Sequence, residues 1–224
     1  MRREVRMEDI SDGKLYRAED LVRAGCGGCE GCSACCRHMG ESVILDPLDI
    51  YNLNIGEKVG LGELFSRYLE LHVVDGVILP TMKMTGEDEA CGFLNEEGRC
   101  RVHAHRPGLC RLFPLGRFYE DGGFRYFLQT GECRKKNRSK VRVSHFIDIP
   151  DLKANEVYVA DWHYFLLDAQ RYVQGCGDQG RAKQVNLEIL NRFFLTPYQG
   201  GRDFYGQFYE RFQAIQKMRE EWRR

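Results

Sequence analysis

The residues best placed to do chemistry are cysteines. Ten occur in 224 residues. Cys26, Cys29, Cys32, Cys35 and Cys36 lie in one glycine-rich segment, GCGGCEGCSACC. Cys91, Cys100, Cys110 and Cys133 form a second group, and Cys176 stands alone. A C-x2-C pair can bite one metal ion, because its two intervening residues make a tight turn whose amides point at the sulfurs. Glycine supplies the unusual dihedrals that aim several side chains at one centre. A segment so poor in apolar residues cannot pack a hydrophobic face and needs something to fold around. Cys35 and Cys36 are adjacent, so their side chains point apart and are expected to serve different sites or different irons.

Three successive C-x2-C steps exceed a simple zinc knuckle. They match the C-x2-C-x2-C run in which one loop gives three ligands to an iron–sulfur cluster and a distant cysteine completes the set. The second group offers distant ligands, with Cys110 or Cys133 the candidates for the fourth. Thiolate donors suit iron–sulfur clusters and zinc alike; the run favours [4Fe-4S], and zinc is the alternative. Four thiolates leave such a centre negatively charged. Arg37, Arg99, Arg101, Arg106, Arg111 and Arg134 stand beside the cysteines, where they could offset that charge and donate to sulfur. The reading of ten cysteines as a disulfide framework is set aside, because no export signal is read and the chain is long enough not to need staples.

The elements that must position these residues are short. Residues 1–24 read as a polar lead-in with one or two helical turns. Ser42–Leu45 reads as a strand, and Asp46-Pro47-Leu48-Asp49 as a capped helix start. A helix is expected over Gly62–His72, with Gly60-Leu61-Gly62 as its opening punctuation rather than a nucleotide loop. Hairpins are expected around Asp75-Gly76, Glu96-Glu97-Gly98 and Asp121-Gly122-Gly123. Beyond Pro150 the pattern becomes helical, at Glu156–Gln174, Arg181–Phe194 and Asp203–Trp222. The expected fold is therefore α+β. A small metal-stitched domain of short strands and helices, residues 25–149, is followed by a helical C-terminal region, residues 150–224.

Cys29-Glu30-Gly31-Cys32-Ser33-Ala34-Cys35-Cys36 spells CxxCxxCC. Cys91-Gly92-Phe93-Leu94 follows, and then Cys100-Arg101-Val102 runs through Arg106-Pro107 to Cys110-Arg111-Leu112-Phe113-Pro114. In order and spacing these stretches resemble the YkgJ-like cysteine-cluster proteins, a family of zinc- or iron-chelating domains to which flagellin lysine-N-methylase is similar. The resemblance covers about residues 29 to 133. It implies a metal site built from Cys29, Cys32, Cys35, Cys36, Cys91, Cys100, Cys110 and Cys133. It does not give a reaction. His103 stands where the family usually has tyrosine, and can be read as a ligand, a donor to sulfur or a surface substitution. Cys26 extends the run beyond the family motif.

Lys plus Arg equals Asp plus Glu at 33 each, and 43% of residues are hydrophobic. Whole-chain disorder is excluded. A globally basic nucleic-acid binder is not expected. No apolar run approaches the roughly 20 residues of a membrane span. The charged stretch Met1–Asp20 does not read as a signal peptide, so a cytoplasmic location is expected. The leading functional reading is an iron–sulfur protein with a redox or protein-modification-related role. The alternative is a structural zinc protein acting as a partner-binding module, and a third reading is a lysine N-methylase-like enzyme. A protein partner is expected on the C-terminal helices or on the basic run 134–142. His38, His103, His105 and His145 lie near the cysteines in sequence; no catalytic residue is assigned.

Overall fold

The computed structural model describes residues 6–27, 29 and 32–222. Gly28, Glu30 and Gly31 of the cysteine loop, and residues 1–5 of the lead-in, lie outside the described residues. The first elements are α1 (Met7–Ile10), β1 (Ser11–Tyr16), β2 (Leu21–Gly25) and a 3-10 turn at Ala34–Cys36. Then come α2 (Pro47–Glu57), α3 (Leu61–Tyr68), β3 (Leu69–Val74), β4 (Val77–Met82), β5 (Met84–Thr85) and β6 (Ala90–Cys91). A second 3-10 turn, His103–His105, precedes α4 (Gly108–Leu112), β7 (Leu115–Glu120), β8 (Gly123–Gln129), β9 (Ser139–Arg142) and α5 (Val143–Ile147). The chain closes with α6 (Leu152–Gly175), α7 (Gln179–Ile189), a π-helical segment Leu190–Leu195, α8 (Phe204–Ala214) and α9 (Gln216–Trp222). The fold is α+β, and no helix among the described residues is long and apolar enough to cross a membrane.

Two compact units share the chain, and each is assembled from separated stretches. The first takes Met1–Gly40, Met84–Arg101 and Gly108–Ala160; the second takes Glu41–Lys83, Val102–Pro107 and Asp161–Arg224.

In the first unit, β7 and β8 form a hairpin whose turn residues Asp121 and Gly122 both have positive φ, 49° and 77°. Two consecutive left-handed residues give the turn whose twist matches paired strands, which is why Asp-Gly marks it in sequence. Strand β1 pairs antiparallel with β8, setting Leu15 opposite Phe127, and β2 pairs with β9, setting Val22 opposite Val141. Alternate residues of β2, Val22 and Ala24, are buried and join Leu112, Leu115, Tyr126, Leu128, Val143 and Ile147 in one cluster. Gly116 faces Phe127 across the hairpin, and a Cβ there would come within 2.3 Å of the ring. The lead-in therefore contains the expected helical turn and two strands besides, which its charged residues had concealed.

The second unit opens on a capping box. The Asp46 side chain accepts the Asp49 N–H and the Asp49 side chain accepts the Asp46 N–H, both at 3.0 Å, with Pro47 in the first turn. Such a cap contributes about 1 kcal/mol. The expected helix over Gly62–His72 ends at Tyr68 instead, because Leu69 is extended and begins β3, paired residue for residue with β4. His72 consequently sits on a strand, between Glu41 and Glu70 at 2.9 and 3.2 Å. The β3–β4 turn is Asp75-Gly76, with φ of 51° and 93°. Ser42–Leu45 forms no named strand; an isolated bridge of Ile44 to Thr81 and two flanking backbone bonds tie it to β4.

Asn186 on α7 clamps the hairpin. Its Oδ1 accepts the Ile78 N–H at 2.6 Å and its Nδ2 donates to the Gly76 carbonyl at 3.1 Å. Trp162, Phe165, Phe193, Phe208 and Phe212 pack as an aromatic core with ring centroids 5.1 to 6.1 Å apart. The π-helical segment ends on a Thr196 N–H to Asn191 carbonyl bond, and both Phe193 and Phe194 are buried. The expected helix over Asp203–Trp222 is two helices, broken at Ile215.

Candidate metal centre

All nine cysteines of the two groups fall in the first unit, and each is half-buried. The loop after β2 turns through left-handed Gly27 and Cys29, with φ of 64° and 61°. That turn brings Cys26 Sγ to 3.3 Å from Cys29 Sγ. The Cys29 carbonyl then accepts the Cys32 N–H at 3.1 Å and Arg99 Nη1 at 2.9 Å. Arg99 thus ties the 93–102 turn to the cysteine loop. That turn exists as expected, closed by Asn95 N–H to the Arg99 carbonyl and by an isolated Leu94–Cys100 bridge.

Cys35 and Cys36 occupy the 3-10 turn Ala34–Cys36, closed by the Cys36 N–H on the Ser33 carbonyl at 2.9 Å. The next residue, Arg37, bridges antiparallel to Ala90. In that register Cys36 falls opposite Cys91, which ends β6. Along the same seam Arg37 pairs with Asp88 at 3.0 Å, and His38 Nδ1 lies 3.6 Å from the Glu89 carboxylate.

Cys91 has the clearest electrostatic signature. Burial pushes its thiol pKa up; the Phe93 N–H works the other way, and the charges of Cys100 and Cys35 push it further up. Burial disfavours a thiolate, and so do neighbouring thiolates. Thiols from three separate stretches of chain, Cys35, Cys91 and Cys100, therefore share one electrostatic neighbourhood. Cys110 lies in α4 and Cys133 follows β8. Among the described residues no group of three or more His, Cys, Asp and Glu side chains closes to metal-binding geometry. The donors are gathered by neighbourhood and not by coordination distance.

The other sequence candidates have contacts of their own. Arg106 donates to His103 Nε2 at 2.7 Å, and His103 is exposed. The His105 ring packs on α2 against Gly56, where a Cβ would meet it at 2.9 Å. Both histidines belong to the second unit. Arg111 Nη1 donates to the Asp148 carbonyl at 3.1 Å. Arg101 lies over the Phe93 ring at 6.0 Å. Cys176 follows the end of α6, with its thiol toward the carbonyls of Val173 and Asp178. Spacing alone missed the Asp88 and Glu89 carboxylates opposite Arg37 and His38. Their clustering in Gly86-Glu87-Asp88-Glu89, just before Cys91, was the available signal.

A family model, CxxCxxCC, described as "Putative zinc- or iron-chelating domain", matches residues 28–143. The chain belongs to the CxxCxxCC family. No curated protein and no solved structure matches the chain. The CxxCxxCC segment begins within the glycine-rich loop and ends at the first residue of α5, so it contains every cysteine of the expected ligand set. Family membership makes this segment a metal-chelating one, for zinc or iron. The donor chemistry agrees: thiols, half-buried, beside an arginine that fixes the loop backbone.

Proposed function

We propose that the CxxCxxCC segment holds an iron–sulfur centre whose thiolates are drawn from Cys29, Cys32, Cys35, Cys36, Cys91, Cys100, Cys110 and Cys133, and that the protein serves a redox or protein-modification-related role. The observation that supports this most directly is the shared neighbourhood of Cys35, Cys91 and Cys100. A cluster needs thiolates from separate directions, one per iron in a four-iron cluster. The centre, when bound, supplies one-electron chemistry. Arg99 would hold the loop backbone at Cys29 while the cysteines are engaged, and the half-buried setting limits water at the sulfurs.

One observation favours zinc as a second reading. Two sulfurs 3.3 Å apart, Cys26 and Cys29, suit two donors on a single ion better than one donor on each of two irons. Tetrahedral thiolate sites hold zinc with Zn–S near ~2.3 Å, which sets neighbouring sulfurs about 3.8 Å apart, a small spreading of this pair. In that reading the metal is structural.

Anaerobic purification with iron, sulfide and zinc analysis separates the two. The iron–sulfur reading expects iron with sulfide and a visible absorption that bleaches with dithionite. Colourless protein with stoichiometric zinc, made with ample iron, overturns it in favour of zinc.

A further inference from the structure

We propose that the first unit carries a second site, a cleft lined in part by Cys133 of the proposed ligand set, that binds a compact polyphosphate anion. The cleft has a volume of 710 Å³, inside the range of roughly 300–1,000 Å³ that small-molecule sites occupy. Six cations line it: Lys14 from β1, Arg23 from β2, Lys135, Lys136 and Arg138 from the 133–138 segment, and Lys140 from β9. One carboxylate lines it as well, Asp12, and that group accepts the Tyr16 hydroxyl at 2.5 Å. The cleft therefore concentrates a net five positive charges. Strand pairing gathers them, because β1–β8 and β2–β9 bring residues 12–23 alongside residues more than a hundred positions later.

Holding so many like charges together costs stability unless an anion offsets them. Arg138 lines the cleft too, and its Nη1 has no hydrogen-bond partner where it lies. A buried unsatisfied donor is costly, and guanidinium pairs readily with phosphate oxygens. Leu21, 58% exposed, and Tyr16 supply an apolar side to the same cleft.

Charge density selects the ligand. A cube of this volume is about 9 Å on edge, room for about three residues of extended peptide and so at most about three carboxylates. A single phosphate monoester already carries about −1.5 to −2 charges at pH 7. Two or three linked phosphates match the cleft in both charge and size, whereas an acidic peptide does not. The phosphates could be free or could belong to a nucleotide, whose base would lie on Leu21 and Tyr16.

The test is isothermal titration of the full chain with inorganic tripolyphosphate and with ATP, at low and at high salt. One-site binding that weakens with salt is expected. Arg138→Ala should weaken it about tenfold or more, and the double variant Lys14→Glu, Lys140→Glu should abolish it. Lys183→Glu, an exposed site on α7, should leave it unchanged. Thermal melts should show all variants folded, since Lys14, Lys140 and Lys183 are exposed and Arg138 is only half-buried. Tighter binding of ATP than of tripolyphosphate assigns the ligand as a nucleotide, and equal binding assigns it as the phosphate chain; either supports the proposal. Lack of saturable binding by both anions overturns it, as does equal loss in Lys183→Glu. Binding of an oligoglutamate peptide more tightly than tripolyphosphate overturns it in favour of an acidic protein surface.

Discussion

Replacing Arg99 by methionine should loosen the metal site without touching a ligand. Arg99 Nη1 donates to the Cys29 carbonyl at 2.9 Å across 70 residues of sequence. A hydrogen bond from a charged donor contributes roughly 1.5–3 kcal/mol. Two features place this one at the low end. Arg99 is half-buried, so water competes. The carbonyl also accepts the Cys32 N–H at 3.1 Å, so it is not orphaned when Arg99 is lost. A loss of about 1.5 kcal/mol in holding the loop translates into about tenfold weaker metal binding, since every 1.4 kcal/mol is tenfold. Methionine keeps the apolar stem and removes the donor with its charge, and Arg101→Met removes an equal charge. Metal affinity is read by competition with a chromophoric chelator, on wild type, Arg99→Met and Arg101→Met. Arg101 lies over Phe93 and serves as the matched control. Affinity unchanged within twofold in Arg99→Met, or equal weakening in Arg101→Met, would refute the reasoning.

Removing the metal with a chelator should melt the cysteine-bearing stretches, because binding free energy at thiolate sites, ~10 kcal/mol or more for structural zinc, is folding free energy; hydrogen exchange should show residues 25–36 and 90–101 losing protection, and an unaltered melting curve would count against the idea. Cys176→Ser should leave metal content unchanged while Cys32→Ser lowers it, checked by elemental analysis. Asn186→Leu should cost roughly 2–4 kcal/mol in urea unfolding, since it strands the Ile78 N–H and the Gly76 carbonyl. Burial, and then Asp12, push the Tyr16 phenol up to about 12. A raised pKa favours the protonated state in the folded protein, so this contribution to stability is whole below pH 10 and fades as pH rises toward 12. Ultraviolet titration should show the Tyr16 phenol ionising late, and Asp12→Asn lowering it part of the way.

What could be read in the sequence was local. The Asp75-Gly76 and Asp121-Gly122 turns, the Asp46–Asp49 cap and helix α6 are written in adjacent residues whose preferences agree with the structure. What could not be read depends on partners far along the chain. Strands β1 and β2 are only six and five residues long, and their pairings, Ser11 with Gln129 and Leu21 with Arg142, span more than a hundred positions. Helix α3 stops at Tyr68 because the next six residues find a strand partner, a tertiary effect that a helical apolar pattern cannot foresee. At the metal centre the spacing singled out the cysteines, but not that Cys35, Cys91 and Cys100 are neighbours. That follows from the Arg37–Ala90 and Leu94–Cys100 bridges, set by backbone pairing rather than by any motif. The cationic cleft was half legible: the run 134–142 was visible, whereas Lys14 and Arg23 reach it only through the strand pairing.

The interleaving of the two units bears on how the protein can be made and cut. The hairpin β3–β4 leaves the ribosome more than a hundred residues before Asn186, whose amide completes its hydrogen bonding. During synthesis that hairpin must wait, with the Gly76 carbonyl and Ile78 N–H turned to water, until α7 emerges. The family-defined stretch 28–143 inherits the same difficulty as a fragment. It starts after β1 and β2, so it leaves β8 and β9 with open edges, and it includes residues 41–83 without the aromatic helices of their own unit. Boundaries chosen from the recurring cysteine signature would sever strands from their partners, so a fragment that keeps every thiol should still aggregate through those edges.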